Sequence, residues 1–411
     1  MYYYQHNSRA LCSFEPNLPF EKLNRLPDTG TIAFLFRRPP LTGRDAFAVT
    51  HPRLLTAEES MAALTDAADA PEIPPALAEA VAEGRVTAAN LDHPRWEALL
   101  TSPLPQGKKR VNLLALGDVG STLLIGLKLL GGESISHLGI CDVREEAAKR
   151  WEFELNQIAP PMAYDALPPV EIVPQEALFD CDVFLFCASR FVPDTAVKSG
   201  DVRMAQYALN RELVVSYARQ ARQAGYGGLF CVVSDPVDPL CRAALLRSNE
   251  DENGVFDGRG LLTHQVRGFG LGVMNARAAY YAKKDPRLAS FLTEGRSFGP
   301  HGQGLTVANS IARYDDALSQ ELTAKTLRAN LEMRELGFKP YVAPALSSGA
   351  LSILAAIEGR WHYSSGYLDG VFMGCHSCLT PAGPAVEQLP LPGALLRRIE
   401  EAAAVLRAIE A

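Results

Sequence analysis

A glycine turn and the aspartate that follows it are the residues of this chain best suited to hold a cofactor. The turn lies between an apolar run and an amphipathic stretch, and a second apolar run ends in Asp142. Free N–H groups at a helix start can hold a pyrophosphate, and Gly120 permits a close approach of helix and strand. Asp142 is placed to accept hydrogen bonds from both adenosine ribose hydroxyls, which favours NAD over NADP. The predicted cofactor-binding residues here are Gly117, Asp118, Val119, Gly120 and Asp142.

Two residues of this stretch depart from the usual G-x-G-x-x-G pattern. Ala115 stands where the first glycine is expected, so the pattern reads A-x-G-x-x-G. Asp118 places an anion beside the expected phosphates, which it should repel. A βαβ unit whose glycines serve only packing therefore remains an alternative interpretation.

The CxxC spacing of Cys375 and Cys378 is also found in metal-binding and redox sites, so such a role has to be considered. A second Cys/His pair does not accompany it in the sequence, and the run is typical of a strand. Buried free thiols are the simpler interpretation for these two and for the other six scattered cysteines, which favours a reducing cytoplasm. We therefore expect no metal site.

Composition, net charge and the length of the apolar stretches limit the classes of protein to which the chain can belong. The 411 residues are 47% hydrophobic and 21% charged, as expected for a globular chain of two or three domains. The net charge of −7 and the lack of a long basic run argue against nucleic acid. The sequence contains no apolar stretch of membrane-spanning length, and the N-terminus does not resemble a signal peptide.

The elements after Asp142 alternate as a doubly wound parallel sheet requires. Helices are predicted at Arg144–Ile158 and Arg203–Ala224, and strands at Val170–Val173, Cys181–Cys187 and Gly228–Val233. The loops that begin at Ala188 and Ser234 follow strands at their carboxyl ends, where such folds bind ligands. Ala188 is accordingly a further candidate cofactor-binding residue.

Residues 1–108 contain no motif that points to a chemistry. Strands are predicted within Tyr2–Phe14 and Thr31–Phe36, and a helix at Pro75–Glu83. Thr56 and Glu59 have the spacing of a capping box, which predicts a helix from Thr56 to about Ala68. A segment that covers the site or builds an oligomer is one possibility that the sequence leaves open.

From about Val111 onward, the chain resembles the lactate/malate dehydrogenase superfamily. After the glycine turn come SGDVRMAQYALNRELV, similar to the end of its mobile loop and the next helix, and VVSDPVDPL, similar to its (S/T)NPVD segment. VMNARAAYYA is similar to its LDxxRxRxxLA segment, FGPHGQ to its GEHGD segment, and YLDGVFMGCHSCLTPAGPAVEQLPLP to its terminal hairpin. Six short matches in the right order make the resemblance specific, although it does not extend to residues 1–108.

The resemblance implies NAD-dependent hydride transfer to or from a small 2-hydroxy/2-oxo acid, together with a homodimer or tetramer. Arg277 would bind the substrate carboxylate, and His301 would act as the acid/base. Arg203 would polarise the carbonyl, and Asp235 would lie where a neutral asparagine normally meets the nicotinamide ribose and substrate. Arg190 is a weaker candidate for a second carboxylate.

The departures from the family pattern occur at these same positions. Met274 stands three residues before Arg277, where the family has the aspartate that hydrogen-bonds the catalytic histidine, and Asn275 could orient the ring only if the register slips by one. Pro300 and Gln303 replace the acids that flank the histidine. Two hypotheses of different class follow: a dehydrogenase with an altered relay, or a catalytically impaired relative with an NAD-sensing or structural role. A metal-dependent glycosidase of this fold is a distant third, and it requires Cys375 and His376 near the nicotinamide.

The predicted fold class is α/β, with a doubly wound (Rossmann) NAD-binding domain and an α+β C-terminal catalytic domain. The predicted boundaries are 1–108 for an N-terminal extension of unknown role, 109–258 for the Rossmann domain and 259–411 for the catalytic domain. A final helix from about Pro392 is expected to pack one face on the catalytic domain.

Overall fold

The N-terminal segment forms a mixed sheet of its own. The computed structural model describes residues 1–56, 58–66, 70–190 and 201–411, with the side chains of 201–205 left out. The first elements are β1 (Tyr2–His6), β2 (Arg9–Ser13), β3 (Glu21–Leu23), β4 (Ile32–Phe36), β5 (Ala46–Ala48), α1 (Pro75–Ala82) and β6 (Val86–Asn90). In the described residues the six strands lie in the order β3-β1-β2-β4-β6-β5. The predicted strands and the helix at Pro75 are confirmed.

The helix predicted from Thr56 is wrong. Thr56 instead ends a short 3₁₀ turn, Pro52–Leu55, and the described residues that follow form a second 3₁₀ turn, Met61–Leu64. The expected capping residue is engaged elsewhere, because the Glu59 carboxylate accepts hydrogen bonds from the guanidinium and the backbone N–H of Arg44. A long-range ion pair has therefore overridden a local helix signal.

A parallel sheet forms the centre of the molecule. Its strands and helices are β7 (Lys109–Leu114), α2 (Asp118–Leu130), β8 (Ile135–Cys141), α3 (Glu145–Leu155), β9 (Val170–Ile172), β10 (Val183–Phe186), α4 (Asp201–Gln223), β11 (Leu229–Val232), α5 (Val237–Ser248) and β12 (Val266–Gly268). The strands lie in the order β9-β8-β7-β10-β11-β12, all parallel, with the reversal of a doubly wound fold beside β7. Strands β10 and β11 are buried along their whole length, as expected for strands covered on both faces. The predicted fold class is confirmed.

The remaining elements extend this sheet and enclose one end of it. They are α6 (Leu271–Ala282), α7 (Phe291–Glu294), β13 (Arg296–Phe298), β14 (Thr306–Ala308), α8 (Asp316–Glu335), a π-helical segment (Pro344–Leu351), α9 (Ser352–Ile357), β15 (His362–Leu368), β16 (Val371–Thr380), β17 (Gly383–Val386) and α10 (Gly393–Arg407). Strands β15, β16 and β17 continue the central sheet from β12 as antiparallel neighbours, so nine strands of the described chain form one sheet. The boundary proposed at 258/259 stays a prediction, and the sheet runs across it.

The N-terminal sheet shares a hydrophobic core with the C-terminal part of the chain. Phe34, Phe47 and Leu64 belong to the same buried cluster as Met373 of β16 and Ile399 of α10. Helix α10 therefore packs its apolar face partly on the N-terminal segment, not only on the catalytic part as predicted. Within the described ranges, every helix is too short or too polar to span a bilayer.

Candidate functional site

The glycine turn presents an open helix start at the carboxyl end of β7. Helix α2 begins at Asp118 after Gly117, and among the described residues no side chain caps it. A Cβ built on Gly120 would lie 2.0 Å from the carbonyl oxygen of Ala115, so only glycine fits there without movement of the backbone. Ala115 has φ of +76°, which explains why a glycine is usual at this position. A helix start of this kind leaves backbone N–H groups available to an anion.

Asp142 lies at the end of β8 against the turn. Its carboxylate accepts hydrogen bonds from the N–H of Leu116 at 2.7 Å and of Arg144 at 2.9 Å, and its side chain is only 5% exposed. These two contacts fix the carboxylate beside the turn. The next residue, Val143, is 95% exposed, so an apolar surface stands free beside the fixed acid.

The negative charge of Asp118 has a partner that the sequence did not reveal. The Nζ of Lys339, from the segment after α8, lies 3.1 Å from Asp118 Oδ2. Both side chains are more than half exposed. The repulsion expected between Asp118 and a bound phosphate is thereby reduced, because the ammonium brings a positive charge to the same place.

His301 and Asp235 meet at the carboxyl end of the sheet. The Nδ1 of His301 lies 3.2 Å from Asp235 Oδ1; the histidine side chain is 9% exposed and the aspartate 49%. Asp235 follows β11, whereas His301 follows β13 in a loop whose Gly299 and Gly302 have positive φ. A carboxylate therefore contacts the candidate acid/base, although Met274 replaces the family's aspartate.

A second aspartate fixes the backbone of His301. The N–H of His301 donates to Asp238 Oδ2 at 3.2 Å, and the hydroxyl of Ser365 on β15 donates to the other carboxylate oxygen. Asp238 is 2% exposed, and burial raises its pKa to about 6 against these stabilising hydrogen bonds. Gly270 allows the close approach, because a Cβ there would lie 2.8 Å from His301 Cβ.

Arg277 projects from α6 into a largely buried position. It donates to the carbonyl oxygen of the Asn330 side chain on α8, and its Nη1 lies 3.7 Å from the sulfur of Met274. Burial lowers the pKa of the guanidinium, whereas Tyr281 and Asp235 act in the opposite direction. A cation tethered by a neutral amide and a thioether retains N–H donors for a carboxylate. Asn275, the alternative partner for the histidine, instead accepts a hydrogen bond from Ser297.

Asn210 joins the two loops that the sequence singled out. It is fully buried on α4, donates to the backbone carbonyl of Asp235 at 2.8 Å and accepts from the N–H of Arg190 at 2.9 Å. Arg190 itself forms an ion pair with Glu212, and Ala188 is buried at the end of β10. The side chain of Arg203 and the loop 191–200, where the mobile-loop resemblance begins, lie outside the described residues.

The CxxC run lies in β16, where residues three apart point to opposite faces of the sheet. Cys375 is in the core shared with the N-terminal sheet, Cys378 contacts the carbonyl of Gly359, and His376 pairs with Glu387 at 2.8 Å. In the part of the chain that the structure describes, no group of three or more His, Cys, Asp or Glu side chains is placed to hold a metal ion. The glycosidase alternative requires His376 near the nicotinamide, and in the structure this histidine is paired with Glu387.

Sequence reasoning missed three residues that position this site. Asp238 was visible within the SDPVD segment, where a second acid two residues past a proline was a usable signal. Asn330 and Lys339 gave no signal, because their partners Arg277 and Asp118 lie 53 and 221 positions away in the chain.

Comparison with known proteins identifies distant relatives. An L-lactate dehydrogenase of Treponema denticola is 25% identical over 201 residues, which are 48% of this chain and 56% of the relative. An L-lactate dehydrogenase of Staphylococcus haemolyticus is 21% identical over 253 residues, 60% of this chain and 73% of the relative. The match thus spans little more than half the length of the Treponema relative. None of the protein-family models matches the chain.

Solved structures share the fold over most of the chain. A lactate dehydrogenase from a Medee basin deep-sea metagenome superimposes with a TM-score of 0.59 at 19% identity, over 74% of this chain and 98% of its own. Malate dehydrogenase of Salinibacter ruber gives a TM-score of 0.57 at 19% identity, over 73% and 95%. At this identity the likeness establishes the fold alone.

Proposed function

We propose that the chain is a divergent member of the lactate/malate dehydrogenase-like superfamily and that it is an NAD-dependent oxidoreductase acting on a small 2-hydroxy/2-oxo acid. When bound, the nicotinamide supplies or accepts the hydride. The chain must then bind the cofactor, hold the acid's carboxylate and exchange one proton with the hydroxyl oxygen. A described residue is available for each of these tasks.

The contact between His301 and Asp235 carries this proposal. In the family pattern the relay aspartate precedes the anchor arginine by three residues, and here that position is Met274. A carboxylate 3.2 Å from Nδ1 restores the same chemistry from another segment, because it holds the ring in one tautomer and stabilises the imidazolium. This chain has Asp235 where the family has asparagine, and the carboxylate of Asp235 compensates for the carboxylate missing at Met274.

The two ring nitrogens of His301 have different roles in the proposed reaction. With Nδ1–H directed to Asp235, Nε2 is the nitrogen that exchanges a proton with the substrate oxygen. Asp238 holds the histidine backbone, and the absence of a side chain at Gly270 leaves room for the His301 side chain beside it. Arg277 binds the carboxylate of the acid by charge-assisted hydrogen bonds, and Arg203 is proposed to polarise the carbonyl.

The cofactor side of the site fits a dinucleotide. The uncapped start of α2 offers Gly117, Asp118, Val119 and Gly120 backbone groups to the pyrophosphate, and the fixed carboxylate of Asp142 is the proposed acceptor for the ribose hydroxyls. The exposed Val143 would cover one face of the adenine. Ala188, at the end of β10, is the proposed contact to the nicotinamide half.

The two proposed domains contribute to one site. Asp235 comes from 109–258, and His301 and Arg277 come from 259–411. The homo-oligomer and the cytoplasmic location that the sequence implied remain predictions.

The test is a calorimetric titration of the purified protein with NADH, followed by oxamate or tartronate as a substrate-like acid. We expect NADH to bind, and the acid to bind only to the NADH complex. Arg277→Ala should keep NADH binding and lose the acid response. Turnover of 2-oxo acids, followed by NADH absorbance, then identifies the substrate.

Two other results would redirect the proposal. Binding of NADH without an acid response, and without turnover, would support the sensing or structural role. Absence of NADH binding would mean that Ala115 and Asp118 have closed the cofactor site, and the proposal would be refuted.

A further inference from the structure

The guanidinium of Arg267 is buried, and among the described residues no carboxylate pairs with it. Arg267 lies in the middle of β12 and is 2% exposed, and its buried Nη2 has no hydrogen-bond partner in the part of the chain that the structure describes. The titratable groups that act on it most are four thiols, those of Cys375, Cys231, Cys378 and Cys241. The position lies outside the hydride-transfer site described above.

A buried guanidinium without a counter-charge lowers the stability of the fold unless a partner neutralises it. Removing a charge from water costs several kcal/mol per ion in real proteins, and buried charges are accordingly paired. A lysine could lose its proton in such a place, but a guanidinium cannot. The thiols are not suitable partners, since burial raises the pKa of Cys375 to about 12 and keeps it neutral.

A small cavity lies against this guanidinium. Its volume is about 20 Å³, enough for one particle of water size. The lining comes from the N-terminal segment, from β12 and from the β15–β17 strands, and its polar members are Arg44, Thr263, Arg267 and Tyr367. Within the described part of the chain, no Asp or Glu lines it.

The surroundings of the cavity favour an anion over a water molecule. Arg44, 6% exposed, contributes a second positive charge, although Glu59 holds its guanidinium in two hydrogen bonds. Glu59 is shared with Arg38 at 3.1 Å, so two arginines already compete for this one carboxylate. The lack of a side chain at Gly366 makes room for the Arg267 Nη1, which would lie 2.3 Å from a Cβ there.

We propose that this cavity binds one small monovalent anion of halide size, which is chloride under ordinary conditions. An anion of this size fits the space, whereas phosphate, sulfate or a substrate acid is too large for it. Because the lining comes from both the N-terminal segment and the central sheet, the anion would stabilise the joint between them. This role is independent of the proposed hydride transfer.

The first test compares thermal unfolding in sodium chloride and in sodium gluconate at constant ionic strength. Since a ligand that binds only the folded state raises its stability with concentration, we expect the unfolding temperature to rise with chloride and not with gluconate. Arg267→Met should abolish this difference, and the matched control Arg37→Met, which removes an exposed arginine outside the cavity, should keep it. Equal unfolding temperatures of the unmodified protein in both salts would overturn the proposal.

A second test uses the unmodified protein and does not depend on the folding of the variant. Crystals grown in sodium bromide should show an anomalous diffraction peak in the cavity beside Arg267. Bromide peaks confined to the protein surface would refute the site.

Discussion

Replacing Asp235 by asparagine would test the relay most directly. Asp235→Asn restores the residue that the family pattern has at this position and keeps the size of the side chain. The hydrogen bond to His301 can persist through the amide oxygen, so the change removes the charge and little else. If Asp235 acts as the relay carboxylate, proton exchange at His301 should slow.

The expected size of the effect follows from the distance and the exposure of the pair. Two unit charges 3.2 Å apart, at an effective dielectric constant between about 40 and 80, attract each other by roughly 1.3–2.6 kcal/mol. The high dielectric constant is appropriate because about half of the Asp235 side chain is exposed. In the oxidation direction, where the imidazolium forms, this corresponds to a loss of roughly 10- to 80-fold in kcat. The loss is smaller than the ~10⁴-fold cost in a buried serine-hydrolase triad.

The assay is the oxidation of a 2-hydroxy acid at saturating NAD, followed by NADH absorbance. In this direction His301 accepts the hydroxyl proton, so the imidazolium forms in the transition state and loss of the Asp235 charge should lower kcat. Glu154→Gln is the matched control, since it removes an exposed carboxylate that pairs with Arg150 away from the site. An unchanged kcat in Asp235→Asn, with His301→Asn inactive, would refute the role of Asp235.

Three further predictions concern positions that the structure explains. Glu59→Gln should lower the free energy of unfolding by about 3–5 kcal/mol at pH 7, because it leaves Arg44 buried without its partner; urea titration measures this. The pKa of Glu59 is lowered to about 2, since the arginines outweigh its burial. Its contribution to the free energy of unfolding is therefore present above pH 4.5 and lost as pH falls toward 2. The variant should lack this loss of stability at acid pH. Ala115→Gly should raise the free energy of unfolding by up to ~1 kcal/mol, as glycine accepts a φ of +76° without strain, and a lower urea midpoint would contradict this. Gly270→Ala should reduce kcat and lower the free energy of unfolding by about 1–3 kcal/mol through overpacking. NADH affinity, measured by calorimetry, should stay unchanged because the added methyl displaces His301 and not the glycine turn.

The cofactor half of the fold could be predicted because its signals are local. The apolar run, the turn at Gly117 and the acid at Asp142 lie within one βαβ unit, and each keeps its place in the structure. Thr56 shows the limit of this reasoning. Its capping-box spacing was genuine, but Glu59 is bound by Arg44, fifteen positions away, and pairing across the fold determined the outcome.

The candidate site was predicted only in part, because its key contact is long-range. His301 and Arg277 were found through segments that match a known pattern. The relay carboxylate was sought next to Arg277, whereas Asp235 lies 66 positions before His301 and was interpreted only as a departure. Arg267 gave no signal, since an arginine in a short strand does not reveal whether it is buried or paired.

The continuity of the central sheet restricts how the site can open. Strands β11, β12 and β15 are joined by consecutive ladders across the proposed boundary at 258/259. A hinge between two lobes would have to break those backbone hydrogen bonds. The His301 loop follows β13 outside this sheet and is tied to it by the N–H of Gly299, which donates to the carbonyl of Gly374 on β16 at 2.8 Å, so we expect Asp235 and His301 to move together. Entry and release of substrate must then depend on segments at the rim of this sheet, and the distance between the histidine and its carboxylate should stay constant through the catalytic cycle.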